Sequence, residues 1–165
     1  MDGMRNRSDI EQVIDEHGNT VWRVCVLYFH QSPDAQDAFQ ETMLKYALHG
    51  GDFADAEHRK AWLIRVATNV CKDMLKASHR TRSVLDDGTI ASSSASSDTH
   101  SQPGCAEGEV LDAMLGLTDP PRTPVYLALY EGYTAPEIAE MLEAPVNTVY
   151  SWIARGRKLL KEALA

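Results

Sequence analysis

Asn147, Thr148 and Ser151 open a run that continues to Arg155 and Lys158, with Val149, Ile153 and Leu160 interleaved. At helical periodicity the apolar three fall on one side and the polar set on the other. Short amide and hydroxyl groups can donate to and accept from base edges, and the later cations suit phosphates. The chemistry of the run is therefore groove recognition of a nucleic-acid duplex. Just upstream, Thr134-Ala135-Pro136-Glu137 has the spacing of a capping box, and Ile138, Ala139 and Leu142 give the next helix an apolar face. Ala139 is small where a second helix would cross, and Glu143-Ala144-Pro145 supplies a short turn. Two helices so joined, the second polar first and basic later, read as a helix-turn-helix.

A second constellation lies mid-chain. Residues 58–82 carry seven basic side chains against one acidic, although the whole chain has a formal net charge of −8. Local fields, not net charge, attract phosphates. Arg59, Lys60, Arg65, Lys72, Lys76, Arg80 and Arg82 are the cations of this segment. Trp62 shares a helical stripe with Val66 and Val70, which favours a core position over a stacking platform. A third group, Asp37, Gln40 and Glu41, lies beside the Ala35, Ala38, Phe39 and Thr42 stripe, and from the residues alone it reads as the solvated face of that helix.

The elements that must carry these groups are helical throughout. Ile10, Val13, Ile14, Val21, Cys25 and Tyr28 mark a first helix that Gly18 could interrupt. Ser32-Pro33 caps a second, which His49-Gly50-Gly51 ends. After a polar loop, Leu63, Ala67 and Cys71 join the Trp62 stripe in a third, extended by Met74. Three such helices make a bundle. The serine-rich 91–97 run, followed by Pro103-Gly104, reads as a flexible linker. Helices resume around Val110–Leu115 and Val125–Leu129. The expected fold is all-α, with an N-terminal domain over 1–80, a linker over 81–107 and a helix-turn-helix domain over 108–165.

Several function classes recede. The six histidines are scattered, and no nucleophile–base pair or metal-ligand spacing emerges, so neither an enzyme nor a metal or cofactor site is expected. Three widely spaced cysteines give no disulfide framework; Cys25 and Cys71 fall in apolar patterns and read as small core residues, and Cys105 as an inert linker thiol. A polar N-terminus and the lack of a long apolar run point to a cytoplasmic protein with no membrane insertion.

Two separate segments resemble one family. Asp34 to Tyr46 resembles region 2.2 of bacterial sigma factors of the extracytoplasmic-function (ECF) type; Ala61 to Val70, with Asp73, resembles regions 2.3 and 2.4; and Asp119 to Leu160 resembles region 4. The resemblance implies a sigma region 2-like domain, a linker and a region 4-like domain. It also implies core RNA polymerase and promoter DNA as partners, with a separate anti-sigma factor as regulator. By the same resemblance Asp37, Gln40 and Glu41 would dock on the polymerase. Asn69, with the loop from Gly50 to Lys60, would hold a base flipped from the minus-10 non-template strand, and Arg59, Lys60, Arg65, Lys72 and Lys76 would face its phosphates. Asn147, Thr148, Tyr150, Ser151, Trp152, Arg155 and Lys158 would approach the minus-35 element. The sequence departs from the family at Tyr150 and Trp152, where basic residues are usual, and at Gly156, where alanine is usual. Fewer cations should weaken and flatten the salt dependence of minus-35 binding, and the glycine should cost about 1 kcal/mol of helix stability.

The competing reading is a conventional helix-turn-helix regulator whose N-terminal bundle dimerises or senses a ligand. It predicts a homodimer on a palindromic site and gives no role to the Asp37–Glu41 edge or to Asn69.

Overall fold

The computed structural model describes residues 4–84, 111–117 and 121–164. Six helices carry the architecture: α1 (Arg7–Phe29), α2 (Pro33–Leu48), α3 (Ala56–Val84), α4 (Arg122–Leu129), α5 (Ala135–Leu142) and α6 (Val146–Leu164). Residues 111–115 are also helical, and no strand occurs among the described residues. The serine-rich run, Cys105 and nearly all of the expected linker lie outside the described residues, as do the side chains of Arg80 and Arg82.

α1, α2 and α3 pack pairwise into one bundle. Asn6 caps α1 by accepting from the Asp9 N–H at 2.8 Å. Gly18 does not interrupt the helix: it is buried, and a Cβ there would sit 3.4 Å from Ile14. Ser32 caps α2, its Oγ accepting from the Ala35 N–H at 3.4 Å, with Pro33 in the first turn. Val13, Val21, Val24 and Cys25 of α1 meet Ala35, Ala38 and Tyr46 of α2 and Leu63, Ile64, Ala67 and Cys71 of α3, all buried. Cys25 and Cys71 are free thiols. A hydrogen bond with the Cys25 thiol, with burial added, pushes Cys71 far above the usual thiol range, so Cys71 stays protonated and inert.

α4, α5 and α6 pack on one another, and their buried side chains join the same hydrophobic core as the first bundle. The Thr134 capping box is complete: Thr134 Oγ1 accepts from the Glu137 N–H at 3.3 Å, and the Glu137 carboxylate accepts from the Thr134 N–H at 3.0 Å. Gly132, at φ +83°, turns the chain between α4 and α5 in a conformation that disfavours other residues. α5 ends at Glu143 in the left-handed region, φ 53°. Ile138 and Val149 are fully buried across the helix-turn-helix. Gly156 has a packing role: a Cβ there would fall 2.4 and 2.8 Å from the two Val125 methyls, so the glycine permits the close α4–α6 approach.

The two halves pack on each other through α3 against α5 and α1 against α4. Arg122 donates to the Leu27 carbonyl at 3.0 Å and to the Leu117 carbonyl at 2.9 Å. Arg23 lies over the Tyr130 ring, 4.9 Å from its centroid.

Candidate nucleic-acid interface

The α3 stripe follows from helix geometry. Arg65, Asn69, Lys72 and Lys76 recur at four, three and four residues, which places them on one face. Asn69 and Lys76 are exposed, Arg65 is largely so, and Lys72 is half-buried. On the opposite side Leu63, Ala67 and Val70 anchor the helix in the bundle.

Arg59 and Lys60, expected on the same phosphate-facing surface, turn inward. Arg59 lies 5.8 Å from the Phe53 ring centroid, and its Nε is buried without a hydrogen-bond partner. Lys60 Nζ pairs with the Glu131 carboxylate at 2.8 Å and lies 5.9 Å from the centre of the Tyr133 ring. Glu131 also accepts from the Tyr126 hydroxyl at 2.6 Å. Burial alone would raise the Glu131 carboxyl. The hydrogen bonds from Lys60 and Tyr126 outweigh that and hold it below the usual carboxylate range.

The C-terminal half engages the stripe as well. Arg65 pairs with Glu143 at 3.1 Å, and Lys72 donates to the Leu142 carbonyl at 3.4 Å. Where α3 and the α4–α5 turn diverge, a cleft of about 620 Å³ opens between Trp62, Arg65 and Glu57 on one wall and Tyr133, Glu137 and Glu140 on the other. The arrangement is closed at Lys60, Arg65 and Lys72, which meet carboxylates or a carbonyl of the C-terminal half, while Asn69 and Lys76 stay exposed.

Ahead of α3, aromatic rings organise the α2–α3 loop. Phe53 lies between Tyr46, Trp62, His49 and His58, with ring centroids 6.2, 5.6, 5.5 and 5.4 Å away. His49 packs on Trp62 at 4.6 Å. Trp62 is thus half-buried against the core while one edge lines the cleft. The sequence marks His49 only as the end of α2 and Phe53 only as part of the 50–60 loop, and for Arg5, which also joins this cluster, its one signal is the Arg5–Asp9 spacing of a helical ion pair.

On α2, Asp37, Gln40 and Glu41 are exposed. Leu44 and Leu48 continue the Asp37–Glu41 face and are 50% and 59% exposed, a large apolar extension to an acidic edge. On α6, Asn147, Ser151, Arg155 and Lys158 form one exposed stripe at four-, four- and three-residue spacing. Tyr150 is 56% exposed, whereas Thr148 and Trp152 are half-buried, Trp152 against the core.

An all-helical chain with two exposed helical stripes that carry cations is suited to binding nucleic acid, and sequence relatives place it. The chain matches Sigma-70 region 2 over residues 13–81 and Sigma-70, region 4 over residues 107–160. It is 29% identical to the ECF RNA polymerase sigma factor SigM of Mycobacterium tuberculosis, over 96% of this chain and 79% of that protein. It is 30% identical to the ECF RNA polymerase sigma factor SigL of the same species, over 91% of this chain and 85% of that protein. The sigma factor RpoE of Bartonella quintana, solved in complex with the anti-sigma factor NepR, shares the fold with a TM-score of 0.72 at 19% identity, over 94% of this chain and 96% of that one. CnrH, solved in complex with the cytosolic domain of CnrY, gives a TM-score of 0.59 at 23% identity, over 96% and 89%. The chain belongs to the ECF family of RNA polymerase sigma factors, and its function is to direct core RNA polymerase to promoters for initiation. No described helix is long and apolar enough to cross a membrane.

Proposed function

We propose that three surfaces divide the work of initiation. The α2 edge of Asp37, Gln40 and Glu41, extended by Leu44 and Leu48, seats the chain on polymerase. The α3 stripe, led by Asn69 and supported by Arg65, Lys72 and Lys76, receives the melted minus-10 strand. Lys60 adds to it once the halves part and Glu131 releases it. The α6 stripe of Asn147, Ser151, Arg155 and Lys158, flanked by Tyr150, Thr148 and Trp152, docks in the minus-35 groove. Asn69 centred on a cationic stripe carries this reading, because an amide among cations suits a base held out of the stack on a charged backbone. The chain performs no chemistry on nucleotides itself and works beside polymerase in the cytoplasm.

The closed arrangement is the resting form, and strand capture requires the halves to separate. Glu131 and Glu143 hold cations that phosphates would otherwise claim. The cleft between the halves is where a separate anti-sigma factor would act, in keeping with the complexes in which RpoE and CnrH were solved.

Surface-by-surface substitution in reconstituted transcription tests the assignment. Asp37→Ala with Glu41→Ala should abolish binding to core polymerase. Asn69→Ala should leave core binding intact and block strand opening. Arg155→Ala with Lys158→Ala should weaken only promoters that depend on the upstream element. Three variant sets failing at the same step would refute this division.

A further inference from the structure

Arg5 precedes α1 in sequence but is built into the α2–α3 loop. Its backbone N–H donates to the Ala47 carbonyl at 2.8 Å, near the end of α2. One guanidinium nitrogen donates to Asp9 at 3.0 Å, and the other to the Gly51 carbonyl, 46 residues away. The guanidinium lies over the Tyr46 ring, 4.4 Å from its centroid, and 5.3 Å from that of Phe53. Asp9 is itself fixed, because it accepts from the Tyr46 hydroxyl at 3.2 Å. The Arg5 side chain is only 15% exposed, so it is not placed to meet a phosphate.

These contacts define the loop. Gly51 packs tightly on His49, where a Cβ would fall 2.7 Å from the ring Nε2. His49 in turn packs on Trp62, at the start of the helix that carries Asn69. Arg5 and Arg59 both lie over the Phe53 ring, 5.3 and 5.8 Å from its centroid, within the aromatic cluster it shares with Tyr46 and Trp62. A planar guanidinium can donate to a carboxylate and a carbonyl from separate nitrogens while its face lies on a ring. A lysine ammonium on a flexible stem does not reproduce that set.

We propose that Arg5 is a positioning residue for base discrimination: it sets the shape of the 49–55 loop that, with Asn69, receives the unpaired minus-10 base. The proposal rests on the assignment of strand capture to that loop and α3. Arg5 acts through Gly51 and Phe53 without touching DNA.

The test uses the full chain bound to core polymerase on a promoter it initiates from, with each of the four bases placed in turn at the captured position. Open complexes are read by permanganate reactivity of the unpaired strand. Arg5→Lys keeps a cation beside Asp9, so the bundle persists, and its thermal midpoint and core affinity are checked in parallel. Discrimination between the preferred base and the others should fall from about tenfold to about twofold in Arg5→Lys, with core affinity unchanged. Unaltered discrimination in Arg5→Lys, with discrimination lost in Asn69→Ala, would overturn the role of Arg5 alone. Unaltered discrimination in both variants would overturn the strand-capture reading beneath it.

Discussion

Lys60 Nζ lies 2.8 Å from the Glu131 carboxylate, with the two side chains 20% and 7% exposed, and this pair joins the halves of the chain. A pair so enclosed loses much of its hydration, and it persists because Tyr126 supplies a further hydrogen bond to Glu131. The arrangement makes a cation of α3 the internal partner of an acid from the C-terminal half. Glu131→Gln keeps the volume and the Tyr126 contact but removes the charge. It should weaken closure by about 2 kcal/mol, roughly thirtyfold in the closed-to-open ratio. Energy transfer between dyes on α2 and α6 measures it: transfer should fall in the variant. The acid dependence has a definite sign. The Glu131 carboxyl is depressed by its partners, so its contribution to closure is complete above the usual glutamate range and is lost as pH falls through its lower folded value.

Gly156 should resist replacement by the residue that helix propensity favours. Alanine would gain about 1 kcal/mol of intrinsic helix stability. Its Cβ, however, would stand 2.4 Å from a methyl of the fully buried Val125. Overpacking of that kind costs about 1–3 kcal/mol, which leaves a net loss of up to about 2 kcal/mol, so Gly156→Ala should lower the thermal midpoint by a few degrees. Adding Val125→Ala should make the glycine replacement less harmful than it is alone, and a double-mutant cycle reads that coupling. A raised midpoint in Gly156→Ala would contradict the packing argument.

Glu143 offers the opposite case. It closes α5 with φ 53°, where glycine is at ease and other residues are strained. Its pair with Arg65 is exposed on both sides, 49% and 69%, and contributes at most about 1 kcal/mol. Glu143→Gly should therefore be at least as stable as the parent in calorimetry, and Glu143→Ala should be less stable. Both should free Arg65 and raise affinity for a single-stranded minus-10 oligonucleotide at low salt, an effect that fades as salt rises.

His17 makes the N-terminal bundle sensitive to mild acid. Its ring is buried, and Nε2 lacks a hydrogen-bond partner, the Glu16 carboxylate being 3.8 Å away. Burial lowers its pKa; the pull of Glu16 and Glu57 opposes this, and the charges of Lys60 and Arg59 add to the lowering. A histidine held neutral in the fold contributes stability that is complete above about 6.5, its unfolded value, and declines as pH falls toward the lowered folded value. Thermal midpoints of the parent should drop from pH 7 to pH 5, and His17→Gln should flatten that slope.

The helices were legible because local rules agreed with the fold. Ser32-Pro33 and Thr134-x-x-Glu137 cap the helices they were expected to cap, and the Val13–Val21–Cys25 and Leu63–Ala67–Cys71 spacings became buried seams. Gly18, where an interruption was open, leaves α1 continuous, because a single buried glycine between well-packed turns does not break a helix. Gly156 looked like a defect for want of its partner: Val125 lies 31 residues earlier in the chain. The stripes on α3 and α6 were readable from periodicity alone. The inward turn of Arg59 and Lys60 was not, since it depends on Phe53 and Glu131, which lie in other elements. Arg5 was hidden for the same reason: its partners Ala47 and Gly51 are brought to it only by the packing of α1 on α2.

The most direct test is run-off transcription with purified core polymerase over a pool of genomic fragments, with and without this chain. The account predicts discrete new transcripts that share two upstream elements, and their loss in Asn69→Ala while that variant still binds core. No initiation, together with no binding to core polymerase, would contradict it.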